Sequence, residues 1–173
     1  MAINLDGNGL NTTGLINSAT AQNSTSGTSI DFTGIPSGVK RVTVMFSGVS
    51  TSGSSASVCV QIGSGSVDTS GYTSGSYYAQ TTASNGFAAQ TSAFIIYWTS
   101  ANAARTGVMR LNLMNASTNL WVAEHAFYIV DTTSGCVWGA GSKTLSGVID
   151  RVRITTSNGT DTFDAGSINI LYE

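Results

Sequence analysis

Charge is the scarcest property of this sequence. Only 9% of its 173 residues are Asp, Glu, Lys or Arg, against about 25% in an ordinary globular chain. The seven cations (Lys40, Arg41, Arg105, Arg110, Lys143, Arg151 and Arg153) are scattered, and the net charge is −2. No basic stripe forms, which excludes the phosphate-backbone contact that nucleic acid demands. Long apolar runs are also missing: nothing approaches the roughly 20 residues that span a bilayer as a helix. The opening segment, MAINLDGNGLNTTG, shows no basic stretch followed by an apolar one. Neither membrane insertion nor a cleaved secretion signal is expected. Proline and histidine occur once each and cysteine twice. Two cysteines in apolar segments, Cys59 and Cys136, are expected to be small buried thiols rather than a bridge or a metal site.

Solubility must therefore come from hydroxyls and amides, and Ser and Thr dominate the polar positions, together with twenty glycines. Such a surface desolvates cheaply, so it suits close packing between subunits and contact with carbohydrate. The length is that of one domain with one core.

Apolar residues are sparse in 1–28, which is expected to be an extended N-terminal arm. From residue 29 onward β-rich segments recur about every ten residues: 29–32, 40–49, 57–62, 94–99, 107–115, 121–130, 136–145, 148–156 and 161–172. Period-two alternation is clear in Val42, Val44 and Phe46 against Arg41, Thr43 and Met45. It recurs in Val148, Val152 and Ile154 against Ile149, Arg151 and Arg153. Asn158-Gly159 signals a hairpin turn. Only 99–105 could hold a helical turn, and it is too short to persist. The fold expected is all-β, a jelly-roll-like antiparallel β-sandwich spanning 29–173. The stretch 63–90, rich in Gly, Ser, Thr and Tyr, is expected to form partner-contacting loops.

Chemistry-bearing motifs are thin. His125 stands beside Glu124, but neighbours on a strand point to opposite faces, so a structural histidine is the simpler reading. The acids Asp6, Asp31, Asp68, Glu124, Asp131, Asp150, Asp161, Asp164 and Glu173 could supply the carboxylate pair of a glycoside hydrolase. Most lie in turns, where Asp bonds its own backbone. Asp6-Gly7-Asn8-Gly9 lacks the alternating ligands and terminal Glu of a calcium loop, and no nucleophile elbow, phosphate loop or dinucleotide fingerprint occurs. No cofactor, no metal and no catalytic residue are expected. Trp98, Trp121 and Trp138 could form a sugar-stacking platform, but packing in the core or at an interface is the simpler reading for residues in apolar strands. Tyr72, Tyr77 and Tyr78 are the candidate receptor-binding residues, because tyrosine suits exposed recognition.

The stretches 31–53 and 148–173 resemble segments of tailed-bacteriophage virion proteins, in particular the terminal β domains of tail fibres and related short structural proteins. The resemblance rests on Phe32-Thr33-Gly34-Ile35-Pro36 entering a strand and on the ending Phe163-Asp164-Ala165-Gly166-Ser167-Ile168-Asn169-Ile170. These motifs mark a fold and carry no catalytic residues. The resemblance implies a non-enzymatic virion subunit assembled in a bacterial cytoplasm, a homotrimer that contacts other virion proteins and host-surface glycan. A tail-fibre or receptor-binding subunit leads. A capsid decoration, cement or head-fibre protein is the alternative, and a free carbohydrate-binding module or glycan-active enzyme is the reading from another class.

Overall fold

The computed structural model describes residues 16–173 and, before them, only the backbone of β1 (Leu5–Asp6) and β2 (Gly9–Leu10), which pair antiparallel. Beyond that pairing, the Asp6–Gly9 turn and the first half of the expected arm lie outside the described residues. The chain continues through β3 (Asn17–Ser18), β4 (Gln22–Asn23), β5 (Ser29–Thr33), β6 (Arg41–Thr51), β7 (Val58–Ser64) and β8 (Ser66–Val67). Next come β9 (Tyr72–Gln80), β10 (Asn85–Gln90), β11 (Phe94–Ile96), β12 (Ala104–Asn115) and β13 (Leu120–Val130). The last strands are β14 (Gly135–Thr144), β15 (Arg151–Thr156) and β16 (Phe163–Tyr172). No helix occurs among the described residues.

Strands β3 to β16 form two antiparallel sheets in a sandwich-like arrangement, and β1 and β2 pair only with each other. The larger runs β10-β9-β14-β13-β12-β6-β16-β3, with β4 also on β16; the smaller runs β11-β7-β15-β5, with β8 on β7. Alternation decides which side chains meet between them. Val42, Val44 and Phe46 of β6 turn inward beside Met109, Leu111 and Ile170, and all are buried. Val58, Val60 and Ile62 of β7 face them with Val152 and Ile154 of β15. Phe46 meets Phe127 edge-on at 5.0 Å between ring centroids. Each such side chain contributes about 1.5–3 kcal/mol when fully buried.

The sheets are also tied together by hydroxyls. In β9 the inward positions between Tyr72 and Tyr78 are Ser74 and Ser76, both buried. Ser74 Oγ accepts the backbone N–H of Ile95 at 3.0 Å, and Ser76 Oγ accepts that of Tyr97 at 3.1 Å. Strand β11, paired on one side with β7, thus finds two serines of the larger sheet on its other side. Tyr72 completes the tie: its hydroxyl accepts the N–H of Ile62 and reaches the carbonyls of Ile62 and Asp68 at 3.1 and 3.0 Å.

One end of the sandwich is irregular. The β6–β16 register breaks where Gly48 and Gly166 adopt positive φ (64° and 93°), a bulge that bends the strands. Beside it Arg105 enters the interior and donates to the carbonyls of Ala103 (2.9 Å) and Trp98 (2.8 Å). Burial pushes its guanidinium down to about 10, with Asp131 opposing. Trp98 in turn donates its indole N–H to Asp131 at 3.1 Å.

Several expectations are corrected. The 63–90 stretch is no loop: most of it is β8, β9 and β10. Asn158-Gly159 is a turn, with Gly159 at φ 69° and Asn158 Oδ1 accepting from the backbones of Thr160 and Asp161. It is not a hairpin, because β15 and β16 belong to different sheets. Val148 is exposed and Ile149 buried, because strand alternation begins only at Arg151.

Replacing Ser76 with Ala leaves the Tyr97 N–H without its buried acceptor. The expected loss is about 1–3 kcal/mol, measured by urea unfolding against the wild type.

Candidate functional site

The buried polar groups come first, since any chemistry would start from them. His125 lies on the inward face of β13, and its Nε2 stands 3.1 Å from Ser76 Oγ. A serine and a histidine at that distance resemble half of a nucleophilic site. Here, however, the hydroxyl already accepts the Tyr97 N–H, and both side chains are buried. Gly139 lies against the ring so closely that a Cβ there would collide with it. Burial pushes the imidazole down to about 4, which keeps it neutral near pH 7. The pair is a strut between β9 and β13.

The carboxylates of the described residues are also engaged, each through at least one oxygen. Asp31 binds Arg153 through both oxygens at 2.7 and 2.9 Å, and Asp68 binds Lys143 at 2.8 Å. Asp150 binds Arg151, Glu124 lies near Arg110, and Glu173 pairs with Arg41. Asp131 accepts the Trp98 indole, Asp161 accepts from Asn158, and Asp164 accepts from Ser50. A polar groove of about 360 Å³ crosses the outer face of the smaller sheet. Its one cation, Arg153, is the partner of Asp31. Among the described residues no three His, Cys, Asp or Glu side chains converge. Cys59 is buried, with its thiol raised to about 12 by desolvation. Cys136 is exposed, contrary to expectation, because it points outward from β14.

That outward face of the larger sheet is where large side chains meet solvent. Register places Phe87 of β10 opposite Tyr77 of β9, Tyr77 opposite Trp138 of β14, and Trp138 opposite Ala126 of β13. At about 4.8 Å per strand the row covers roughly 14 Å. Phe87 is 65% exposed, Trp138 45% and Tyr128, diagonal to Trp138, 52%. Tyr77 and Trp138 lean together, with ring centroids at 5.1 Å and planes at 47°. Phe87 lies over Gly75, where a Cβ would come within 2.9 Å of its ring. The glycine lets the phenyl ring lie flat along the strand. Val108 and Met45 extend the row across β12 and β6. The Arg110–Glu124 pair, 3.6 Å apart, borders it. Between Asp68 and Arg105 the sequence has no charged residue.

The three candidate tyrosines do not act together. Tyr72 is buried at 2% exposure against Phe94, so it is a core residue and not part of a receptor surface. Tyr78 points inward and packs against Tyr97 and Trp98. Tyr77 alone joins the outer row, as neighbours on one strand must diverge. Trp98 and Trp121 are core residues as expected, whereas Trp138 is on the surface. Trp138 thus takes the exposed, sugar-stacking alternative weighed for the tryptophans, whereas nothing in the sequence singles out Phe87 or Tyr128 as a surface residue. Alternation in β14 carried the signal, with Cys136, Trp138 and Ala140 in one set and Val137, Gly139 and Gly141 in the other.

No protein-family model, curated protein or solved structure matches the chain.

His125 gives a pH prediction with a defined sign. Its folded pKa lies below the unfolded value of about 6.5, so between roughly pH 6.5 and 4 the unfolded chain binds the proton and the folded chain does not. Stability is then expected to fall by about 3 kcal/mol as pH drops through that window. Urea unfolding at pH 7 and pH 4.5 measures it, and His125→Gln flattens the decline.

Proposed function

We propose that this chain is a non-enzymatic structural subunit of a tailed-bacteriophage virion, placed in the tail fibre. In this reading the outer face of its larger sheet contacts host-surface glycan. The observation that carries the proposal is the aromatic row Phe87–Tyr77–Trp138 with Tyr128, displayed on the outer face of β10, β9, β14 and β13 and bordered by the Arg110–Glu124 pair. Aromatic rings stack on the apolar faces of sugars, and phenol and indole groups add hydrogen bonds. Contiguous exposed apolar surface marks a binding site more often than chance. The virion setting rests on the resemblance of 31–53 and 148–173. It is supported by a charge-poor, hydroxyl-rich body and by acids and a histidine that, among the described residues, are bound to structural partners.

Because the side chains project from long paired strands, the surface is preorganised and loses little entropy on contact. The row is rigid where a loop would be adaptable.

Trp138→Ala and Tyr77→Ala are each expected to weaken attachment of the purified chain to host cells at least about tenfold. Far-UV circular dichroism should stay that of the wild type. Met114→Ala, exposed but outside the row, should attach normally. Undiminished attachment of both row variants would remove the proposed surface.

A further inference from the structure

A sheet edge offers unpaired N–H and C=O groups, and folded proteins usually block it. Three edges of this sandwich are blocked by identifiable groups. On β16 the segments β3 and β4 add short strands, anchored by buried Ser24, which bonds Ala165 through its hydroxyl and Gly166 through its N–H. On β5 the side chain of Gln22 donates to the carbonyl of Asp31 at 2.8 Å. On β11 the hydroxyls of Ser74 and Ser76 occupy the N–H groups of Ile95 and of Tyr97, the residue after the strand.

The fourth edge is different. Strand β10 ends the larger sheet, and among the described residues no strand lies on its outer side. Its pairing with β9 runs from Asn85 to Gln90 without a bulge, and it contains no proline and no charge. Gln80 donates to Ser84 at 2.9 Å, which fixes the antiparallel alternation. The even-numbered residues bond to β9, and the N–H and C=O of Asn85, Phe87 and Ala89 point away from it. These residues also carry exposed side chains on the outer face.

We propose that two copies of this chain pair antiparallel along β10, centred on Phe87, in place of the threefold assembly that the resemblance implies. A twofold axis at Phe87 sets Phe87 against Phe87 and Asn85 against Ala89, so each free N–H meets a free carbonyl. The edge is self-complementary. It also lies within the uncharged stretch between Asp68 and Arg105, so two molecules of net charge −2 meet there without facing like charges. An interface of this kind is isologous and closes at two. It joins the two aromatic rows into one surface across the axis, yet it stands on the edge geometry alone and does not depend on glycan contact.

Light scattering of the wild type should give twice the 17.8 kDa chain mass. The double variant Asn85→Lys/Ala89→Lys places lysines opposite one another in the pair and should scatter as a single chain with wild-type far-UV circular dichroism. Amide exchange in the wild type is a second readout that needs no variant: Phe87 and Ala89 should exchange at least tenfold more slowly at high than at low protein concentration. A wild type of single mass, a threefold mass, or a pair that survives the double substitution would overturn the proposal. So would concentration-independent exchange at Phe87. Loss of host attachment with pairing intact would touch only the function proposed above.

Discussion

Two buried hydroxyls, on Ser74 and Ser76, govern how the two sheets meet. Strand β11 pairs with β7 on one side only, and burial makes an unpaired N–H costly on the other. The two serines supply the missing acceptors. This fixes the distance between β9 and β11, turns the inward face of β9 polar, and gives His125 its partner. It also fixes the outward set. With Ser74, Ser76 and Tyr78 committed to the interior, Tyr77 must face solvent, and register brings Phe87 and Trp138 alongside it.

Scarcity of charge acts through the same geometry. Seven cations and nine anions go mostly into local pairs such as Arg153–Asp31 and Lys143–Asp68. Arg105 is instead spent on carbonyls at the bulged end of the sandwich. Nothing charged remains for the β9–β10 region. A surface without charge is cheap to desolvate, which is the property that the proposed sugar contact and the proposed pairing of two copies both require.

Much of the sandwich was legible because hydrophobic alternation reports burial. Val42, Val44 and Phe46 alternate as a half-buried strand must, and the segments around β12, β13 and β16 follow the same rule. Strand β9 broke it for a physical reason: two of its inward positions are serines, so its pattern Tyr-Thr-Ser-Gly-Ser-Tyr-Tyr reads as loop although it pairs on both sides. The candidate site was legible only in part. Tyrosine in an uncharged stretch pointed to the strand that carries Tyr77, but composition does not assign side chains to faces, and Tyr72 and Tyr78 face inward. Trp138 looked like core because its segment is apolar. Two of the inward residues around it, Gly139 and Gly141, are glycines, which lie under the His125 ring and Phe94 respectively. Asn158-Gly159 has the chemistry of a turn, but local sequence does not record whether a turn returns to its own sheet or crosses to the other.

A charge-poor scaffold carrying an aromatic face is proposed to work on a virion, and its location there is the most direct test. Immunogold electron microscopy of intact bacteriophage particles that encode this chain, with antibody raised against the purified protein, tests it most directly. Gold confined to the tail fibres is the expected result. Gold spread over the head would contradict the tail placement, and particles free of gold would contradict the virion role itself.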